Sequence, residues 1–264
     1  MSRTGQPGRS VSARLLDVLF AFRAGRSRLS LAELTRATGL PHASVRRLAL
    51  ELVEAGALDR ARDGTFTVGI RLWELGTLAP LSLPLRTVAL PYMQDLHAAL
   101  RQHVQIAVLD GTSAVLVERL SADRAVDVAF RTGGRLPLHS SGVGKVLLAH
   151  AAPELADAVV REGLPATTPR TVTDPGLLRA ELADIRESGT ASVYGETSPG
   201  VNSVATRVLD AEGSVVAALG VVVRAGTVDL RTVRPAVIAG GLAVSRGLGW
   251  RTEVGVRRGS ANFA

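Results

Sequence analysis

The sequence contains no cysteine in 264 residues, and Lys145 is the only lysine among its 31 basic residues. The lack of cysteine excludes disulfide frameworks, thiolate zinc sites and a nucleophilic cysteine. Aromatic residues make up only 3%, so few side chains can stack on a ring. No apolar run approaches the roughly 20 residues that a membrane helix needs. The opening MSRTGQPGRS lacks the apolar segment of a secretory signal. We therefore expect a soluble cytoplasmic protein without a membrane partner.

The remaining composition, 46% apolar and 21% charged, is that of a folded chain with one large or two modest domains. Arginine in place of lysine fits either a genome-wide bias or a polyanionic partner, because guanidinium groups bind phosphate bidentately. The charge is unevenly distributed. Residues 1–76 hold 12 arginines and seven acidic residues, a net charge of +5, whereas the rest of the chain has a net charge of only +2. This concentration favours a nucleic-acid site in the first segment.

The first segment has the signals of short helices followed by a hairpin. Apolar spacing predicts a helix over residues 11–24 that ends at Gly25. Ser30 and Glu33 form a capping box for the next helix, and Gly39 ends it. Pro41 opens a third helix, which closes at Gly56, and an Asp-Gly turn joins two short strands at residues 57–59 and 65–68. This order is typical of a winged helix-turn-helix.

The third helix has an apolar back and an opposite face of small residues and arginines, which suits the DNA major groove. The alternative is an ordinary amphipathic helix with a solvated charged face. The tight turn before the helix and the basic wing after it favour DNA binding. Ala43, Arg46 and Arg47 lie on the exposed face, Ser44 lies on its flank, and Arg60 and Arg62 on the wing are candidates for backbone contacts.

The second segment predicts an α+β domain with a mostly antiparallel sheet. Its expected strands cover residues 104–109, 114–119, 126–131, 191–194, 201–209 and 215–223, and the helices lie between and around them. We predict a disordered N-terminus at 1–10, a winged helix-turn-helix at 11–69, a linker helix at 70–82, an effector-binding domain at 83–250 and a disordered tail at 251–264.

Three stretches together resemble the IclR family of bacterial transcription regulators. They are LTRATGLPHASVRRLALELVEAGAL, LPLHSSGVGKVLLAH and SPGVNSVATRVLDAEGSVVAALGVVV. The resemblance implies a GAF-like (PAS-related) effector domain, dimers or tetramers, and binding to a double-stranded operator near a promoter. It places Ser44 and Arg47 in the recognition helix. We expect a repressor whose DNA binding is modulated by a small molecule, without a cofactor.

The Gly142-x-Gly144-Lys145 stretch is not a phosphate-binding Walker loop, because His139 stands where that loop needs glycine and Val146 follows the lysine. Free N–H groups at the start of a helix can instead bind a carboxylate. The family's effector site resembles such a loop, so Ser140, Ser141, Gly142 and Val143 are candidate effector contacts. The alternative is that these glycines only allow the helix to pack closely on the sheet.

The resemblance also has departures that bear on the effector. The family often has cysteine where this chain has Ser203 and serines where it has Gly220 and Val222. An acidic residue common before that strand aligns with Tyr194 or Gly195. Fewer polar groups favour an apolar or aromatic ligand, such as an aromatic acid, over a short keto acid. Phe130 and Tyr194 are the candidate stacking residues, and a vestigial site is the alternative.

No catalytic or metal constellation stands out. His139, Ser140 and Ser141 could suggest a hydrolase with Asp110 or Asp127, but no Gly-x-Ser-x-Gly elbow is present. The five histidines show no metal-ligand spacing. Two alternatives to a regulator remain: a metabolic α+β enzyme with an accessory DNA-binding module, and a purely structural DNA-bridging protein.

Overall fold

The computed structural model describes residues 10–24, 26–79, 83–122, 126 and 130–251. They group into two compact units. The N-terminal unit comprises the described residues up to Pro84 together with 130–135, and the C-terminal unit comprises the others. The expected N-terminal disorder (apart from Ser10), the ending of the first helix at Gly25 and the expected disordered tail (apart from Arg251) fall outside the described residues.

The N-terminal unit has four α-helices and a three-stranded antiparallel sheet of order β1-β3-β2 in its described part. The helices are α1 (Val11–Phe20), α2 (Leu31–Thr38), α3 (His42–Glu54) and α4 (Ile70–Gly76), and the strands are β1 (Arg28–Leu29), β2 (Leu58–Arg60) and β3 (Phe66–Val68). The chain after α1 tightens into a 3₁₀ turn at Ala21–Ala24, where we predicted continuous helix. Strand β1 was not predicted, because two residues are too few to show an alternating pattern.

The C-terminal unit is a six-stranded sheet with helices on both faces, in the order β6-β5-β4-β9-β8-β7. The strands are β4 (His103–Asp110), β5 (Ser113–Leu120), β6 (Arg135–Pro137), β7 (Thr190–Tyr194), β8 (Val201–Leu209) and β9 (Val215–Arg224). The helices are α5 (Leu83–Leu100), α6 (Gly142–His150), α7 (Pro153–Glu162), α8 (Pro175–Ser188) and α9 (Leu230–Gly247). The predicted α+β class with an N-terminal winged helix-turn-helix is confirmed.

One predicted strand is wrong in its described part. Of the expected strand at 126–131, Val126, Phe130 and Arg131 are described and none is in a strand, while 127–129 lie outside the described residues. The next described strand is instead β6, which begins at Arg135, four residues after the end of the predicted strand.

The core of the C-terminal unit lies between one face of the sheet and the helices α5 and α9. Met93 of α5, Val237 of α9 and Leu219 of β9 are completely buried in it. Helix α9 approaches so closely that a Cβ at Gly241 would overlap with the Thr206 side chain. Because strand residues alternate between faces, the neighbours of Thr206 point to the opposite side, where α6 packs.

Candidate DNA-binding surface and effector site

Both ends of α2 are fixed by local hydrogen bonds. The Ser30 hydroxyl accepts from the Glu33 amide, while the Glu33 carboxylate accepts from the Ser30 amide at 2.9 Å, so the predicted capping box is confirmed. The Ser30 amide and the Ser30 hydroxyl both donate to the Glu33 carboxylate, and these two hydrogen bonds lower the pKa of Glu33. Gly39 adopts a left-handed conformation with φ of 65° and donates its N–H to the Thr35 carbonyl. The turn therefore directs α3 away from α2 at a defined angle.

Helix α3 presents the predicted residues on its outer face. Val45, Leu48, Ala49 and Leu52 are buried against the rest of the unit. Ala43, Arg46 and Arg47 are exposed, and Ser44 is half-buried on the flank. The structure thus brings the four predicted α3 residues to the accessible side of one helix.

The two arginines of α3 differ in their partners. Arg47 Nη1 lies 2.6 Å from Glu51 Oε1 one turn later, in an exposed ion pair. Arg46 has no ion pair or hydrogen bond with any other described residue. Arg46 can therefore reach a base or a phosphate directly, whereas Arg47 must first leave Glu51.

The wing is the exposed hairpin of β2 and β3, and it is held by hydrogen bonds within its turn and by an ion pair with β1. Asp63 at its tip accepts from the Thr65 amide and hydroxyl, which lower the pKa of Asp63, and pairs with Arg28 of β1 at 3.0 Å. The Arg60 guanidinium lies 5.8 Å from the centre of the Phe66 ring. Arg60 and the adjacent Arg62 are exposed. Sequence reasoning missed Arg28 because its role depends on β1.

In the C-terminal unit, the start of α6 has buried polar groups, and some of them have no hydrogen-bond partner among the described residues. Ser141 caps the helix: its hydroxyl accepts from the Gly144 amide at 3.1 Å and donates to the Pro137 carbonyl at 2.6 Å. Among the described residues, the N–H groups of Gly142 and Val143 find no hydrogen-bond acceptor. The Ser140 hydroxyl is completely buried and also lacks a partner there.

The start of α6 lies directly over β8 and β9. A Cβ at Gly142 would be 2.8 Å from Ser203 Oγ, and a Cβ at Gly220 would be 3.0 Å from Val143 Cγ1. Val222 is paired with Ser203 across the two strands. The structure therefore brings seven predicted effector residues together: Ser140, Ser141, Gly142, Val143, Ser203, Gly220 and Val222. The same contacts also require glycine for close packing, so packing and binding explanations both apply to Gly142.

Tyr194, one of the two predicted aromatic residues, does not lie with them. Tyr194 is paired with Asn202 and therefore projects on the sheet face opposite to Ser203, where it is 44% exposed. Phe130 belongs to the segment 130–135, which groups with the N-terminal unit. Tyr194 is therefore not placed to stack on a ligand at the start of α6, whereas the role of Phe130 stays a prediction.

A buried ion cluster one turn into α6 was not predicted. Lys145 is 2% exposed, and its Nζ bonds to both carboxylate oxygens of Glu196, at 2.7 and 2.9 Å, and to Glu181. Burial raises the pKa of Glu196, while the hydrogen bond and charge of Lys145 oppose this shift. An acidic residue, Glu196, thus lies one position after Gly195, whereas we aligned the acidic position of the family with Tyr194 or Gly195. The sequence offered one signal for this ion cluster, namely that Lys145 is the only lysine.

The loop that carries Glu196 also contacts the start of α6. The Thr197 hydroxyl donates to the Ser140 carbonyl at 2.6 Å. Thr168 and Thr171 in turn donate to the carbonyl oxygens of Gly195 and Glu196. These bonds hold the Ser140 main chain in place although its hydroxyl has no partner.

Two further polar side chains, His103 and Gln105 of β4, lie on the α6 face of the sheet. They are paired with Val222 and Gly220 respectively, and both are buried. Sequence reasoning could not find them, because their proximity to α6 depends on the order of the strands.

The arrangement at His139 does not resemble a hydrolase. Its Nε2 lies 3.2 Å from the Pro165 carbonyl, and burial lowers its pKa. No serine contacts the ring in the described part of the chain. Asp127, one of the two candidate partners, lies outside the described residues. Across the residues that the structure describes, no group of three or more metal-ligating side chains occurs and no helix could span a membrane.

Comparison with known proteins identifies both units. The family model for the C-terminal domain of IclR-type bacterial transcriptional regulators matches residues 79–246, and the IclR helix-turn-helix model matches residues 12–62. The Pca regulon regulatory protein of Pseudomonas putida is 32% identical over 93% of this chain and 85% of its own length. The repressor AllR of Klebsiella pneumoniae is 33% identical over 60% of this chain and 58% of its own length.

A solved structure gives the same answer for the fold. An IclR homolog from Microbacterium hydrocarbonoxydans, complexed with 4-hydroxybenzoate, superimposes with a TM-score of 0.83 at 35% identity. The match covers 90% of this chain and 99% of that one. All these relatives are transcriptional regulators or their homologs and not enzymes. The chain therefore belongs to the IclR family of transcriptional regulators, whose members bind DNA under the control of an effector.

Proposed function

We propose that this protein is a cytoplasmic repressor that binds a double-stranded operator as a homodimer or homotetramer, and that an aromatic carboxylic acid modulates this binding. The observation that carries the effector assignment is the set of buried donors without partners at the start of α6. Buried polar groups are almost always hydrogen-bonded, so such a cluster indicates a missing ligand or water.

The DNA contacts would come from one helix face and the wing. Ala43 and Ser44 are small enough for α3 to enter the major groove closely. Arg46 and Arg47 would read base edges or hold phosphates, and Arg60 and Arg62 would contact the backbone beside the groove. Exposed, flexible arginines suit this role, since they exchange water for phosphate at little cost.

The ligand carboxylate would be bound by the N–H groups of Gly142 and Val143 and by the Ser140 hydroxyl. A helix start provides both free donors and a favourable dipole for an anion. Val222 and Gly220 make the sheet beneath it apolar, which suits a ring better than a short keto acid. The 4-hydroxybenzoate bound to the Microbacterium homolog has this chemistry.

Exposed apolar side chains in the N-terminal unit support self-association. Helices α1 and α4 and their surroundings leave large apolar side chains at least 45% exposed: Val11, Leu16, Phe20, Val68, Ile70, Trp73, Leu75 and Leu78. Five of them, Val68, Ile70, Trp73, Leu75 and Leu78, fall within residues 68–78, and such a concentration of exposed apolar side chains is typical of an interaction site. A second copy covering it would present two α3 helices to operator half-sites about one helical turn apart.

The test combines DNA and ligand binding with the full chain. Footprinting on the DNA upstream of the gene should show one protected region that random DNA does not compete for, and 4-hydroxybenzoate should change its occupancy. Calorimetry should show binding of benzoates and none of glyoxylate or pyruvate. Tight binding of the short acids without the aromatic ones refutes the aromatic effector, and equal affinity for random DNA favours a DNA-bridging protein instead.

A variant pair assigns the ligand to α6. Ser140→Ala removes the unpartnered hydroxyl and should weaken benzoate binding by about 1 kcal/mol while ligand-free operator binding stays unchanged. Ser192→Ala, on an exposed position of β7, is the matched control. Equal ligand affinity in both variants and the wild type contradicts the site.

A further inference from the structure

His103 lies in the same row of the sheet as the predicted effector residues. It is paired with Val222 on β9, and Val222 is paired with Ser203 on β8. Side chains that are paired across antiparallel strands project on the same face. Because Ser203 faces the start of α6 at Gly142, His103 faces that side as well.

The His103 ring has one nitrogen in use and one that is not. The ring is 5% exposed, and its Nε2 lies 2.5 Å from the Val126 carbonyl. A carbonyl oxygen only accepts, so Nε2 carries the proton and Nδ1 of the neutral ring carries a lone pair. Nδ1 is fully buried and has no partner in the described part of the chain. A buried acceptor without a donor is costly unless a ligand or water supplies one.

The separation between Nδ1 of His103 and the free donors at the start of α6 matches the length of one small ligand. Adjacent strands are about 4.8 Å apart, so His103 on β4 lies about 10 Å across the sheet from Ser203 on β8, with β9 between them. The donors at the start of α6 lie over Ser203, and Val222 occupies the strand in between. An aromatic ring with polar substituents at opposite ends bridges such a gap over Val222, with hydrogen bonds at both ends.

We propose that Nδ1 of His103 accepts a hydrogen bond from a hydroxyl on the effector's ring, at the end opposite its carboxylate. The effector class is then hydroxylated aromatic acids, and His103 determines specificity within it. This inference rests on the proposed effector site at α6. It adds the second polar contact, which the loop at 140–143 does not provide.

The expected preference for ligands with a ring hydroxyl follows from the buried acceptor, Nδ1 of His103. A ligand without a donor leaves Nδ1 desolvated and unpaired, and the cost of such a loss corresponds to an affinity about 10- to 100-fold lower. A ligand with an ether at the same position keeps the oxygen but has no proton to donate, so it should be rejected as well.

The test is calorimetry on the full-length wild type with 4-hydroxybenzoate, benzoate and 4-methoxybenzoate. We expect 4-hydroxybenzoate to bind at least 10-fold more tightly than the other two. Equal affinities for 4-hydroxybenzoate and benzoate overturn the inference while leaving the proposed effector site intact. Failure of all three ligands to bind refutes the aromatic effector itself, and the inference falls with it.

Variants assign the discrimination to the ring. His103→Phe should reduce the preference for 4-hydroxybenzoate over benzoate to about one, and His103→Gln, which keeps a carbonyl acceptor, should retain part of it. His97→Phe is the matched control, because His97 lies on α5 and bonds through Nδ1 to the Gln102 carbonyl. A preference that persists undiminished in a folded His103→Phe variant, or that is lost completely in a folded His103→Gln variant, contradicts the assignment, and so does its loss in His97→Phe.

Discussion

The two units of the molecule hold the polar groups at their proposed sites in opposite environments. In the N-terminal unit Arg46, Arg60 and Arg62 are exposed, and the ion pairs near them lie at the surface. In the C-terminal unit Lys145, Ser140 and His103 are almost completely buried. Exposed charges suit a large polyanion that approaches from solvent, and buried groups without partners suit a small ligand that is enclosed. We therefore expect DNA binding by the N-terminal unit to depend on salt. We expect the stability of the C-terminal unit to depend on its buried side chains and on pH.

The largest effect is expected for Lys145→Met. Removing this ammonium leaves Glu196 buried without its partner, which should lower the free energy of unfolding by about 3–5 kcal/mol. Thermal and urea unfolding of the full chain measure it. Arg179→Met is the control, because the pair between Arg179 and Asp157 is more than half exposed and should contribute less than about 1 kcal/mol. Similar losses in both variants contradict the contrast between buried and exposed charges.

Substitution of the α3 arginines should affect operator binding and leave stability unchanged. Arg46→Ala or Arg47→Ala should weaken operator binding by about 1–3 kcal/mol each if the side chain reads a base. For Arg47→Ala we expect discrimination between operator and random DNA to be lost. Gel shifts with both DNAs measure this, and Arg161→Ala, an exposed arginine on α7, is the control. Unchanged operator affinity in Arg47→Ala refutes its place in the recognition surface.

The same contrast explains what the sequence could predict. The helix-turn-helix depends on signals within a few residues: the Ser30–Glu33 capping box, Gly39 and the Asp-Gly turn. The face of α3 follows from helical periodicity alone. In the C-terminal unit, residues 140–143 could be proposed as effector contacts because they form one consecutive stretch that resembles a loop of the family.

Sequence reasoning failed for residues whose positions depend on strand register and strand order. His103 reaches the effector face only because β4 pairs with β9, and Glu196 reaches Lys145 from 51 residues away. Tyr194 was chosen for its aromatic ring, yet its position in β7 points it to the other face. A shift of one residue in a strand reverses the face, and no local pattern in the sequence fixes that register.

The wing should show the salt dependence expected of exposed charges. Arg62→Ala should weaken binding to operator and random DNA alike, by about 1 kcal/mol or less, because a phosphate contact carries no sequence information. The dependence of log affinity on log salt should become shallower by about one unit. Affinity measured from 50 to 300 mM salt gives this slope. A selective loss for the operator would instead place Arg62 on a base.

The smallest expected effect concerns pH and the C-terminal unit. Burial, followed by the charges of Arg207 and Arg186, lowers the pKa of His150 below its usual 6.5. The unfolded chain therefore binds this proton more readily than the folded one, so the contribution to stability is present above pH 6.5 and is lost as pH falls through that value towards the folded pKa. Replacement by glutamine removes the titration.

Between pH 7 and 5, His150→Gln should consequently lose less stability than the wild type, by less than about 1 kcal/mol because the ring is partly exposed. Urea unfolding at several pH values measures the difference. His42→Gln is the control, since His42 is the only histidine of the N-terminal sequence up to residue 84 and is exposed on α3. If His42→Gln flattened the pH profile as much as His150→Gln, the pH response could not be assigned to the buried groups of the C-terminal unit, and the division between a salt-sensitive and a pH-sensitive unit would fail.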